Sequence, residues 1–207
     1  MRNFLLSSLF LLIVSCHRSN YANNTTYQAI PSLKTFYKLP FTNEGSSYLY
    51  KTAANIYGHY LSGLLLIKPF ENENFRIVFT NELGVKFFDF EFIKEEFKVH
   101  YVIDKLDKKP VLKVLEKDFR LLLAIGISEK LISKIETDTT ISLNFVSGKE
   151  NIYYSFDRKS LDLEKAAILN TKQMNKVTID FNNCANRIPM GVKIMHHNIK
   201  LDIDLHL

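Results

Sequence analysis

Beyond residue 46 the chain alternates short apolar runs with polar or turn residues at intervals of about ten, the pattern of antiparallel strands joined by tight connections. Ten segments carry it: 48–56, 59–68, 75–80, 85–93, 97–103, 140–146, 152–156, 174–181, 192–196 and 199–207. One stretch has a different period. Lys109-Pro110 is followed by Val111, Leu112, Leu115, Phe119 and Leu122, a helical spacing that opens with proline at a permitted first-turn position, with Gly126 placed where the helix should stop. A weaker second helix is expected over 128–135, capped by Ser128. The whole predicts a mainly β (α+β) domain: an antiparallel half-barrel of about ten strands enclosing a lid helix near residues 110–125.

Within 85–93, Lys86, Phe88, Phe90 and Phe92 alternate against Val85, Phe87, Asp89, Glu91 and Ile93, so both faces hold large apolar groups. Plain core packing accounts for that, and so does a concave face that receives a helix or an apolar ligand.

The amino terminus reads differently. Met1-Arg2-Asn3 supplies a positive charge and 4–14 is almost uninterrupted apolar sequence, the layout of an export signal. Eleven helical residues span about 16 Å, short of the ~30 Å hydrocarbon core, which argues against a permanent transmembrane helix. Ile13-Val14-Ser15-Cys16 follows and resembles the bacterial lipobox, which implies a signal peptide over 1–15 and acylation of Cys16. Two or more acyl chains anchor stably, since each buried methylene contributes about 0.8 kcal/mol. From there to residue 46 the chain is rich in Asn, Thr, Ser and Tyr and reads as a tether, 16–46, with an r.m.s. reach of roughly 30 Å. The folded domain is expected over 47–207.

Composition fits one globular domain, with 46% hydrophobic residues and a formal charge of +5 whose basic residues are scattered rather than clustered. An exported chain of this kind is a poor candidate for binding nucleic acid. Its charge fits mild attraction to anionic lipid headgroups or simply a solvated basic surface. After Cys16 only Cys184 remains, so no intramolecular disulfide is available, and a lone cysteine without a catalytic setting is assigned no chemistry. No nucleophile elbow, phosphate-binding glycine loop or metal-binding His/Cys spacing occurs, which argues against an enzyme and calls for no cofactor. His196 and His197 fall on opposite strand faces. Asp202, Asp204 and His206 share a face, ordinarily a solvated one and only in the minor alternative a metal site.

Ser62-Gly63-Leu64-Leu65-Leu66-Ile67-Lys68, then Phe75-Arg76-Ile77-Val78-Phe79-Thr80-Asn81-Glu82-Leu83-Gly84, resembles the LolB-like outer-membrane lipoprotein receptors, relatives of the periplasmic carrier LolA. The order of elements agrees, and Ile188 to Ile203 looks like that family's closing hairpin. The resemblance implies an apolar cavity for the acyl chains of other lipoproteins, with Leu66, Phe79, Phe88, Phe90, Phe119 and Leu122 as candidate lining residues. It implies acylated lipoproteins and a LolA-like periplasmic carrier as partners, and a lipid-anchored place on the periplasmic face of the outer membrane. It also implies that Leu83 protrudes and inserts into the bilayer, whereas a turn leucine read from sequence alone folds back onto the core. The alternative is a structural or scaffolding envelope lipoprotein that reuses the fold without carrying lipid.

Overall fold

The computed structural model describes residues 37–42, 45–127, 131–185 and 187–207. The expected signal peptide over 1–15, Cys16 and the tether as far as residue 36 lie outside them.

The described chain forms twelve strands and one long helix. The first five strands are β1 (Tyr48–Ile56), β2 (His59–Phe70), β3 (Asn74–Thr80), β4 (Lys86–Ile93) and β5 (Glu96–Val102). Helix α1 (Lys109–Leu123) follows. Then come β6 (Leu131–Glu136), β7 (Thr140–Ser147), β8 (Glu150–Asp157), β9 (Leu163–Leu169), β10 (Asn175–Ala185), β11 (Ile188–His196) and β12 (Leu201–His206). All twelve join one sheet in the order β5-β4-β3-β2-β1-β12-β11-β10-β9-β8-β7-β6. Each pairing is antiparallel, and β1 with β12 closes the middle.

That order places α1. The two edge strands are β5 and β6, and α1 is the stretch of chain that joins them. It must therefore cross from one edge of the sheet to the other, and it does so over the inner face. There Val111, Leu115, Phe119, Leu121, Leu122 and Leu123 are buried. The expected mainly β half-barrel around a helix near 110–125 is the fold observed, with two more strands.

Strand burial has the period of two that the sequence predicts. In β1 the inward residues are Tyr48, Tyr50, Thr52, Ala54 and Ile56, and in β12 they are Leu201, Ile203 and Leu205. Pro110 stands in the first turn of α1, and the helix ends at Ala124 in the left-handed conformation (φ 54°). There the N–H of Ile125 donates to the Arg120 carbonyl at 2.9 Å. The stop thus falls two residues before Gly126.

The helix expected over 128–135 is not found over its described part, 131–135, and its expected cap Ser128 lies outside the described residues. Residues 131–136 form edge strand β6, paired with β7 from Leu131↔Phe145 to Glu136↔Ile141. A run this short gains little from helical periodicity, whereas the β-branched Ile132 and Ile135 suit a strand beside an open edge. Between residues 136 and 170 the expected strands at 140–146 and 152–156 are found as β7 and β8, followed by β9, which the sequence pattern does not predict.

The folded unit also begins earlier than residue 47. Phe41 is buried with its ring 5.2 Å from Tyr48 and 6.1 Å from Tyr50. Tyr37 stacks on Phe156 at 4.4 Å, and the Lys38 N–H donates to the Leu161 carbonyl at 3.0 Å. Apolar side chains close to the first strand bury themselves against it, so the expected 16–46 tether gives up Tyr37 to Phe41.

Candidate functional site

Five of the six candidate lining residues meet on the inner face. The register Leu65↔Phe79↔Phe88 sets Phe79 beside Phe88, with ring centroids 5.5 Å apart. Phe88 stacks on Phe90 at 4.4 Å, and Phe119 of α1 meets both, at 5.8 and 6.2 Å. Leu122 lies one helical turn from Phe119. All five are buried. Leu66 does not join them. It pairs with Val78, in the row that faces away from Leu65 and Phe79, and is half-buried on the outer face. In the unbroken run Leu64-Leu65-Leu66 nothing local marks which leucine points inward, and the phase is set by pairing with β3.

Among the described residues, the inner face brings Asp118 and His196 together as an ionisable pair. Asp118 lies on the buried side of α1 and its side chain has no exposure, while His196 of β11 has 8%. His196 Nε2 sits 2.9 Å from both carboxylate oxygens. Burial pushes the Asp118 carboxyl up, opposed by the hydrogen bond and charge of His196. The pair fastens α1 to the sheet, helped by Tyr154, whose hydroxyl donates to the Leu121 carbonyl at 3.2 Å. Arg120 adds a hydrogen bond to the Glu95 carbonyl at 2.6 Å and lies 5.4 Å above the Phe92 ring.

The loop between β3 and β4 carries Leu83, which is 89% exposed. Asn81 shapes it. Its side-chain oxygen accepts from the N–H of Leu83 at 3.0 Å and of Val85 at 2.8 Å, and the N–H of Gly84 donates to the Asn81 carbonyl at 3.0 Å. With Gly84 at φ 83°, the turn is closed by backbone and Asn81 alone, so Leu83 is left to solvent. Beneath it, on the outer face, Asp89 receives Arg76 Nε at 2.5 Å and Lys86 Nζ at 2.8 Å. Burial alone would raise the Asp89 carboxyl, but these two cations outweigh it and hold the group below the usual carboxylate range. The loop stands on a stapled pair of strands.

The remaining candidates carry no site. Cys184 is half-buried, its thiol lies 3.5 Å from the Leu163 carbonyl, and burial pushes it up to about 11, far from a reactive thiolate. Asp202 and His206 are exposed, and Asp204 lies 3.8 Å from Lys193. Among the described residues no group of three His, Cys, Asp or Glu side chains is placed to hold a metal ion. Nor is any described helix long and apolar enough to cross a membrane.

The molecule is thus an open antiparallel sheet, aromatic on its inner face, with a helix lying over that face and an exposed leucine on a rim loop. No family model and no curated protein sequence matches the chain. Solved structures that it is similar to include a putative outer membrane lipoprotein-sorting protein domain from Vibrio parahaemolyticus, at 8% identity and a TM-score of 0.47 over 79% of this chain and 84% of that one. A LolA superfamily protein from Nitrosomonas europaea is similar at 8% identity and a TM-score of 0.47, over 82% of this chain and 86% of that one.

Proposed function

We propose that this chain is a lipoprotein held on the periplasmic face of the outer membrane through acylated Cys16. It takes the acyl chains of other lipoproteins from a LolA-like periplasmic carrier and helps insert them into that membrane. The chains would lie between α1 and the inner face around Phe79, Phe88 and Phe90, and no cofactor takes part. The observation that carries the reading is Leu83, an apolar side chain 89% exposed on a loop built to keep it so. Burying a leucine in hydrocarbon is worth about 1.5–3 kcal/mol, enough to bring the rim to a bilayer. Transfer would run downhill, because each acyl chain moves to wherever more of its methylenes leave water.

A second reading, a scaffold that carries no lipid, is favoured by the filled interior. Phe88, Phe90, Phe119 and Leu122 are at most 1% exposed, so entry of an acyl chain requires α1 to part from the sheet.

The test uses the chain from His17 onward, purified without detergent, with fluorescent triacylated and unacylated lipopeptides. Acyl-dependent binding is expected, and Leu83→Glu should retain it while slowing delivery to vesicles by about 10- to 100-fold, the loss of one inserted leucine. If the two lipopeptides bind alike, the carrier reading is lost and the scaffold stands.

A further inference from the structure

Antiparallel strands of one sheet put alternate turns at the same end, so the turns 57–58, 81–85, 148–149, 170–174 and 197–200 share one rim. Exposed apolar side chains punctuate it: Tyr57, Leu83, Val85 and Met174. On the same rim a recess of about 420 Å³ opens between the β7–β8 turn, the β9–β10 turn and α1. It is lined by Lys117, Lys149 and Lys176 with Glu150, and by the neutral polar groups of Ser147, Asn170 and Thr171.

We infer that this recess is a binding site for the phosphate group of an anionic phospholipid, engaged when the Leu83 rim faces a bilayer. The inference rests on the membrane-facing orientation proposed above and adds to it a headgroup site.

Two ammonium groups flank one carboxylate as a brace, and a third lysine, Lys149, lines the same recess. Glu150 accepts from Lys117 of α1 and, through its other oxygen, from Lys176 of β10 at 2.8 Å. Burial would raise the Glu150 carboxyl, but the two lysines hold it below the usual range, so it stays ionised. An ammonium has three N–H donors. One from each lysine goes to Glu150, which holds the side chains in place while their other donors remain for an anion. Lys149 is exposed and has no partner among the described residues. The local charge is positive by two, met by hydroxyls on Ser147 and Thr171. Lysines act as point charges and suit the tetrahedral phosphate group. Asn170 fixes the floor, its side-chain oxygen accepting from the N–H groups of Lys172 at 2.8 Å and Met174 at 3.1 Å.

The experiment is co-sedimentation of the chain from His17 onward with vesicles of phosphatidylcholine alone or mixed with phosphatidylglycerol. Binding is expected to be tighter with the anionic lipid, and Lys149→Gln should weaken it by more than the about fivefold that one lysine contributes at any charged surface. Lys200→Gln, exposed on the same rim but outside the recess, should weaken it less, and Lys159→Gln at the opposite end should leave it unchanged. Equal losses at Lys149 and Lys200 would overturn the site in favour of diffuse attraction. Saturation of the Lys149 and Thr171 amide resonances by inorganic phosphate, without any preference for anionic vesicles, would overturn a lipid source. Acyl-lipopeptide binding by Lys149→Gln should match the wild type, so this site and acyl binding can fail separately.

Discussion

Replacing His196 by alanine is expected to cost about 3 kcal/mol of stability at neutral pH. Asp118 has no exposed side-chain surface, and the His196 ring nitrogen is the group within hydrogen-bonding reach of its two oxygens. With the imidazole gone, the carboxylate is left in an apolar interior, and breaking one side of a buried pair is far more costly than the net worth of the pair. The loss should depend on pH in a definite direction. Burial raises the Asp118 carboxyl in the folded state, so the folded protein holds its proton to higher pH than the unfolded chain does. The deficit is therefore smallest below about pH 4, the ordinary carboxylate value, and grows as pH rises through the raised folded value. Urea unfolding followed by far-ultraviolet circular dichroism between about pH 4 and pH 8 measures it. Replacing both partners, Asp118→Leu with His196→Leu, should restore most of the stability, because no charge is then buried. A small, pH-independent loss in His196→Ala would mean that α1 shifts to let water reach the carboxylate. The functional side is that His196→Ala loosens the helix any incoming acyl chain must displace, so acyl binding should become faster.

Much of this arrangement was legible beforehand, and what was missed has local causes. Ten strands announced themselves because Tyr, Phe, Ile and Leu alternate with polar residues. Strand β9, with the sequence Leu163-Glu164-Lys165-Ala166-Ala167-Ile168-Leu169, does not alternate: Ala166, Ala167 and Ile168 are all buried in succession. Alanine favours strands weakly, so neither period nor composition marks it. The exposure of Leu83 was suggested by the loop resemblance alone, since a turn leucine read by itself folds back onto the core; the hold of Asn81 and Gly84 on the turn shows only in the structure. The Asp118–His196 pair joins positions 78 residues apart, and the recess gathers Lys117, Lys149 and Lys176 from three distant elements. Such groupings exist only once β5 and β6 lie at opposite edges and α1 is drawn between them. One signal was available: Asp118 falls on the same helical stripe as Val111, Leu115, Phe119 and Leu122, and a carboxylate there calls for a partner across the core.

Gly63→Ala is expected to be about as damaging, and for a reason that ties the sheet to the loop. A Cβ at Gly63 would lie 1.9 Å from the Thr80 carbonyl oxygen, 2.7 Å from the Asn81 Cα and 2.8 Å from the Thr80 carbonyl carbon. These are backbone atoms at the end of β3, where the β3–β4 register shifts between Phe79 and Thr80, and no side-chain rotation can relieve the clash. Overpacking of this kind costs about 1–3 kcal/mol and more where backbone must move, so a loss near 3 kcal/mol is expected. In a domain of this size that lowers Tm by about 10 °C. Gly191 is the internal comparison, since a Cβ there would meet its nearest neighbour, the Leu205 carbonyl oxygen, at an ordinary 3.6 Å. Gly191→Ala should therefore change Tm little. If calorimetry gives the two variants equal Tm values, the end of β3 yields freely and the close approach is not a constraint. If Gly63→Ala is costly, the strain falls on Asn81, whose side chain holds the Leu83 turn. Delivery to vesicles should then fall along with stability, even at temperatures where the variant remains folded. That coupling gives Gly63 a role beyond packing: by letting β3 press against β2, it fixes the residue that turns Leu83 outward.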